Sequence, residues 1–249
     1  MQYGICHLSI VPVRALPDDC TEMVSQLQYG EHVKVLEQRK KWSRIRVAYD
    51  GYEGWVSNDQ ITLVSENVYG ELEDATPSYS SDIISHVCTS DDILLPILLG
   101  SVVSSAKILG HTFEGSTIEG AHPKSCLVDT ALLYLKAPYQ WGGKTPFGID
   151  SSGFTQMVYK INGHHLRRNA EKQSQQGEAL SFIEESEPGD LAFFDNSEGI
   201  IDHVGIILKD NYVIHSHGHV RIDRLDHTGI FNVEEKLYSH TLRVIKKVI

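Results

Sequence analysis

Along the first 65 residues, apolar positions come in short runs rich in β-branched and aromatic residues: IVPVRALP, EHVKVLEQ, WSRIRVAY and GYEGWVS. Gly, Asp and Pro punctuate these runs, a pattern that predicts strands rather than helices. Asp50-Gly51 falls between two of them and is a strong hairpin signal. Several short strands closed by tight turns predict a small β-barrel over residues 1–65. From 66 to 122 the pattern is still β-like but noisier. Serines and acids at 65–82 suit a linker, and ILLPILLGSVV followed by Gly110, Gly115 and Gly120 predicts a second, degenerate barrel.

After Pro123 the period changes. In SCLVDTALLYLKAP the residues Leu127, Ala131, Leu132 and Leu135 recur at helical spacing, and Pro138 lies beyond the end. A Gly-rich loop, YQWGGKTPFGID, leads to a second helical stretch, SSGFTQMVYKING, closed by Gly163. The remainder reads as strands: GDLAFFD, DHVGIILK, YVIHSH, HVRIDRL and TLRVIKKV. Helices followed by an antiparallel sheet predict an α+β domain over 123–249.

Composition narrows the partners. The net charge is -11, which disfavours a nucleic-acid backbone or an anionic membrane, since both select a basic face. The longest apolar run, Ile93 to Leu99, is broken by Pro96 and falls well short of the ~20 residues that cross a bilayer. The N-terminus has neither a basic n-region nor a long apolar h-region. As the sequence stands this predicts a cytoplasmic protein, or a periplasmic or envelope protein if a signal was removed. Cys6, Cys20, Cys88 and Cys126 have no CxxC spacing, so reduced thiols are expected rather than a disulfide scaffold or zinc site.

Three blocks carry chemistry in one order: IDSSGF at 149–154, DHVGI at 202–206 and VIHSHG at 213–218. With YQWGGKTPFGIDSSGFTQMVY and PGDLAFFD they resemble the signature blocks of the NlpC-type cell-wall cysteine peptidases, over residues 125–225. The order VRALP, EMVSQLQYGEHVKVLE, KWSRIRVAYDGYEGWV resembles bacterial SH3-like domains. The resemblance implies a papain-like peptidase domain preceded by two SH3-like barrels. It also implies cleavage of the γ-D-glutamyl to diamino acid bond of murein peptides by a Cys-His-His set. Carried over, Ser151 is the nucleophile position, His203 the base and His215 its orienting partner. Lys209-Asp210-Asn211 reads as the turn that folds His215 back beside His203.

Serine stands where the family has cysteine, so hydrolysis is expected to be crippled. With every other block intact, a replaced nucleophile accounts for this better than general decay. The alternative is a non-catalytic protein that binds cell-wall peptides. Asp150, Ser152, Tyr139 and Trp141 are expected along the substrate groove, and Arg168 of LRRNAEKQ is a candidate partner for a substrate carboxylate. Relatives with SH3-like domains include enzymes selective for a free N-terminal L-alanine, which makes Glu22 and Tyr52 candidates for holding that amine. Strand alternation places His215, His217 and His219 on one face, a conceivable metal set. No carboxylate or cysteine joins them at a typical spacing, so no metal or other cofactor is expected. GGKT at 142–145 lacks the first glycine of a phosphate loop and does not follow a strand, which excludes nucleotide binding.

Overall fold

A computed structural model describes all 249 residues, which divide into two compact units. The first comprises Met1–Gly120 together with Trp141–Thr145, and the second Ala121–Gln140 with Pro146–Ile249.

Seven strands build one antiparallel sheet in the first unit: β1 (Gln2–Ile5), β2 (Ile10–Arg14), β3 (Met23–Gln28), β4 (His32–Gln38), β5 (Trp42–Val47), β6 (Glu53–Ser57) and β7 (Thr62–Val64). Their spatial order is β3-β2-β6-β5-β4-β1-β7. Alternation sets the inward face. Along β5, Ser43, Ile45 and Val47 are buried while Arg44 and Arg46 face solvent. The inward residues Val11, Val13, Leu27, Val33, Val35, Ile45, Val47 and Val56 form the core. The expected hairpin joins β5 to β6, where Gly51 adopts φ 71° and Asp50 accepts the Tyr52 amide N–H at 2.9 Å.

Helix α1 (Glu66–Asp74) is capped by Ser65, whose hydroxyl accepts the Val68 N–H. It occupies part of the stretch expected to be linker. Beyond it lie β8 (Ser78–Ser80), β9 (Ile84–Cys88), β10 (Leu94–Leu98), β11 (Thr112–Phe113) and β12 (Thr117–Glu119). They form two small sheets, β10-β9-β11 and β12-β8, rather than one continuous sheet. Val87 and Ile97 from this region pack with Tyr29, Val103 and Ala106.

The short β13 (Lys144–Thr145) also belongs to the first unit. The Lys144 ammonium lies 3.3 Å from the Glu31 carboxylate, both fully buried, and the Lys144 amide donates to Gln26 Oε1 at 2.7 Å. Gly142 has φ 75°, and a Cβ there would sit 2.2 Å from the Met23 carbonyl oxygen, so the loop requires glycine.

The second unit is α+β. It contains α2 (Ser125–Leu132), β14 (Gly148–Ile149), α3 (Ser151–Ile161) and α4 (Ala170–Gln173). The strands β15 (Glu178–Leu180), β16 (Leu191–Asp195), β17 (Ile201–Ile207), β18 (Tyr212–His217), β19 (His219–Leu225), β20 (Gly229–Asn232) and β21 (Leu237–Lys247) follow. These strands lie in the order β15-β21-β16-β17-β18-β19-β20. Because β20 also pairs with β21, the last six strands close into a barrel. Every residue of α3 is buried, and it packs on β17 and β18, so the helix forms a spine against the sheet. Helix α2 differs from the pattern expected of it: Leu127, Ala131 and Tyr134 are buried, while Leu132 and Leu135 are exposed. The helix ends at Leu132 and Lys136 turns to φ 70°, so the helical phase does not carry on to Leu135.

Candidate active site

Ser151 is the first residue of α3 and is 5% exposed. The helix starts there because Asp150 is a good N-cap: its Oδ1 accepts the Gly153 N–H at 2.6 Å. The positive end of the helix dipole is thereby placed at residue 151. Asp150 is itself held by Arg168, whose guanidinium donates to both carboxylate oxygens, at 3.0 and 2.5 Å. Arg168 also donates to Ser152 Oγ at 3.0 Å, and Ser152 Oγ donates to Asp150 at 3.1 Å. Arg168 is only 3% exposed. In this structure its fork is directed at Asp150, where the sequence suggested a substrate carboxylate. Gln173 ties the same block to α3, accepting from Thr155 Oγ1 at 2.8 Å and donating to the Ser152 carbonyl at 2.9 Å.

The turn at Lys209–Asn211 folds β17 onto β18 and pairs Gly205 with His215. His203, two residues before Gly205, therefore lies on the same sheet face and diagonal to His215. Gly205 makes the room, since a Cβ there would meet Val213 Cγ2 at 2.6 Å and His215 Cβ at 3.0 Å. His203 Nε2 lies 2.8 Å from His215 Nδ1, and His215 Nε2 lies 3.0 Å from Asp223 Oδ2. Arg221 holds Asp223 in turn, donating to both of its carboxylate oxygens at 2.6 and 3.1 Å.

This chain fixes the proton positions. An ionised Asp223 only accepts, so His215 Nε2 carries hydrogen and His215 Nδ1 is an acceptor. His203 Nε2 must then donate, which leaves His203 Nδ1 with its lone pair. Burial works against the Asp223 carboxylate, but the hydrogen bonds from His215 and Arg221 outweigh it and hold its pKa below the usual range. Burial, then the neighbouring His240, His215 and His217, push His203 well below the ordinary histidine value. His203 is therefore neutral at neutral pH, as a general base must be.

Tyr139 is partly exposed, and burial, then Asp150 and Asp202, raise its hydroxyl pKa. In the first unit the exposed Trp141 donates its indole N–H to the Glu22 carboxylate at 2.5 Å, so these two candidates meet. Tyr52 is half-buried just after the Asp50-Gly51 turn.

The single strand expected for His215, His217 and His219 does not form. Gly218 turns at φ 69°, so β18 ends at His217 and His219 begins the next strand opposite it. In place of His219, His240 of β21 joins the group, stacked on His203 with ring centroids 3.9 Å apart. Asp223, Arg221 and His240 were not among the residues singled out in the sequence. Asp223 and His240 lie in the strands HVRIDRL and TLRVIKKV or just before the latter, whose patterns mark them only as strand positions. Pairing across the barrel brings them in.

Two family models match the chain: the NlpC/P60 family over residues 136–236, and the bacterial dipeptidyl-peptidase Sh3 domain over 13–61. A gamma-D-glutamyl-L-lysine dipeptidyl-peptidase of Bacillus cereus is 27% identical over 80% of this chain and 68% of its own length. The protein of the same name from Bacillus subtilis is 26% identical over 79% and 74%. The crystal structure of an NlpC/P60 family protein from Bacillus cereus superposes with a TM-score of 0.81 at 18% identity, covering 99% of each chain, and so shares the fold. Residues 136–236 thus belong to the NlpC/P60 family, and residues 13–61 to the bacterial dipeptidyl-peptidase Sh3 domain.

Proposed function

We propose that the chain is a murein-peptide hydrolase fold that cuts, or once cut, the γ-D-glutamyl to diamino acid bond. The observation that carries this reading is the Asp223–His215–His203 relay, which leaves His203 Nδ1 as a base in the unit whose helix α3 begins with Ser151. In the reaction the residue 151 side chain attacks the peptide carbonyl while His203 takes its proton. His203 then returns that proton to the leaving amine, and His215 keeps the imidazole oriented. The dipeptidyl-peptidase names of the Bacillus relatives support this bond class. Tyr139 is proposed to contact the substrate. Asp150, Ser152 and Arg168 support the helix terminus that presents residue 151.

Serine at this position weakens the site. A thiol ionises near pH 8.5 and is further activated at a helix N-terminus, whereas a hydroxyl needs full general-base assistance. Ser151 thus also favours a second reading, a protein that binds cell-wall peptides without cutting them. Incubating Ser151→Cys with defined L-Ala-γ-D-Glu-diamino acid peptides and following products by mass spectrometry separates the two. Turnover is expected to rise at least about a hundredfold over the parent chain. Negligible turnover by both forms removes the peptidase reading.

A further inference from the structure

Three imidazoles converge in the barrel of the second unit. One ring nitrogen from each of His203, His215 and His240 lies within 4.8 Å of the other two. His203 and His215 are buried and His240 is half-buried. No two of the three are close neighbours in sequence, and they come from three strands or turns that meet only in the closed sheet.

The outer nitrogen of His215 already has a partner of the kind that metal-bound histidines use, and one nitrogen of His240 has a hydroxyl beside it. His215 Nε2 donates to Asp223, leaving Nδ1 facing His203. His240 Nδ1 lies 2.9 Å from Ser239 Oγ, leaving Nε2 as its other ring nitrogen. A carboxylate behind a ligating imidazole fixes its tautomer and raises its basicity. The rings are also held by packing: His240 stacks on His203, and Phe194 sits edge-on to His240.

From this geometry we infer that His203, His215 and His240 form a binding site for a divalent transition metal of the zinc, nickel or copper class. An all-imidazole donor set suits these ions and not magnesium or calcium, which require oxygen. Three protein ligands with a fourth position left to solvent is the open form of a tetrahedral zinc site. The exposed His217 has its ring 4.9 Å from that of His240. Two nitrogens bound tetrahedrally at zinc distances lie about 3.3 Å apart. The His203–His215 contact of 2.8 Å must therefore open by a few tenths of an ångström, and His240 must close inward. The ion replaces the hydrogen bond between His203 and His215, so metal binding and the base relay are mutually exclusive states of the same side chains. The set differs from His215, His217 and His219: His219 lies on the next strand with its Nε2 3.2 Å from the Lys136 ammonium, and the barrel supplies His203 and His240.

The test is titration of the chelator-treated full chain with zinc chloride by calorimetry, with cobalt(II) absorption as a readout of tetrahedral coordination. One equivalent is expected to bind. His240→Phe keeps the aromatic stack but removes the ligand nitrogens, and is expected to weaken binding by roughly a hundredfold or more. Asp223→Asn is expected to weaken it by about ten- to a hundredfold. His203→Gln serves as a second ligand variant if His240→Phe does not fold, and is expected to lose the site likewise. No stoichiometric binding by the parent chain, or unchanged affinity in the folded ligand variant, overturns the inference. Because the readout is binding, either result leaves the peptidase reading to its own test.

Discussion

At residue 223 a single carboxylate decides which nitrogen of two imidazoles holds a proton. Asp223→Asn replaces an obligate acceptor with a group that can also donate, so His215 can adopt the other tautomer and turn a donor toward His203. In a Ser151→Cys background this is expected to lower kcat by about tenfold or more with little change in KM, because Asp223 acts through His215 and His203 rather than on the substrate. His203→Ala in the same background is expected to abolish turnover, and His215→Ala to lower it severely through misorientation. Steady-state kinetics on the three variants check this. Equal losses in kcat and rises in KM for Asp223→Asn would show a general collapse of the site instead. Ser151, His203 and His215 could be singled out in the sequence because short contiguous blocks surround each of them. Asp223 could not, since its contact with His215 depends on strand pairing eight residues downstream and its local text is only an alternating strand.

Helix and strand boundaries divide in the same way. The N-terminus of α3 was readable because the Gly-rich loop ends there, although its cap, Asp150, was expected only along the groove, and its end because Gly163, at φ 77°, follows it. The exposed face of α2 was not, because its apolar run continues past the point where the chain turns. Gly205 shows what pairing adds. Its sequence context marks only a strand, yet its missing side chain is the space into which Val213 and His215 pack. Gly205→Ala puts a methyl against Val213 and His215 and is expected to cost about 1–3 kcal/mol, as overpacking does. Urea denaturation measures this cost. The Ser151→Cys, Gly205→Ala double variant should also lose activity beyond what its stability explains, because the new methyl forces Val213 aside and presses on His215 Cβ at 3.0 Å. A double variant with full activity would show that the relay tolerates displacement.

At the scale of the whole molecule, the sequence indicated a β-rich N-terminal region and an α+β C-terminal region, because hydrophobic period and punctuation are local signals. The assignment of Trp141–Thr145 to the first unit was not legible: it rests on the buried Lys144–Glu31 ion pair and the Gln26 contact, whose partners lie more than a hundred residues apart. The proposed selectivity for peptides with a free amine belongs to this scale. An L-alanine amine is cationic and well solvated, so a protein that selects it must supply an anion. Glu22 is an exposed carboxylate already positioned by the Trp141 indole, and Tyr52 is the second candidate. In a Ser151→Cys enzyme, acetylating the L-alanine amine is expected to reduce kcat/KM by about tenfold or more, the scale of one charge-assisted hydrogen bond. Glu22→Ala should reduce cleavage of the free peptide by a similar factor and leave the acetylated peptide unchanged. Cleavage of both peptides at equal rates by the Ser151→Cys enzyme with and without Glu22→Ala would show that the amine is not read at all. The SH3-like region would then owe its presence to something other than peptide selection.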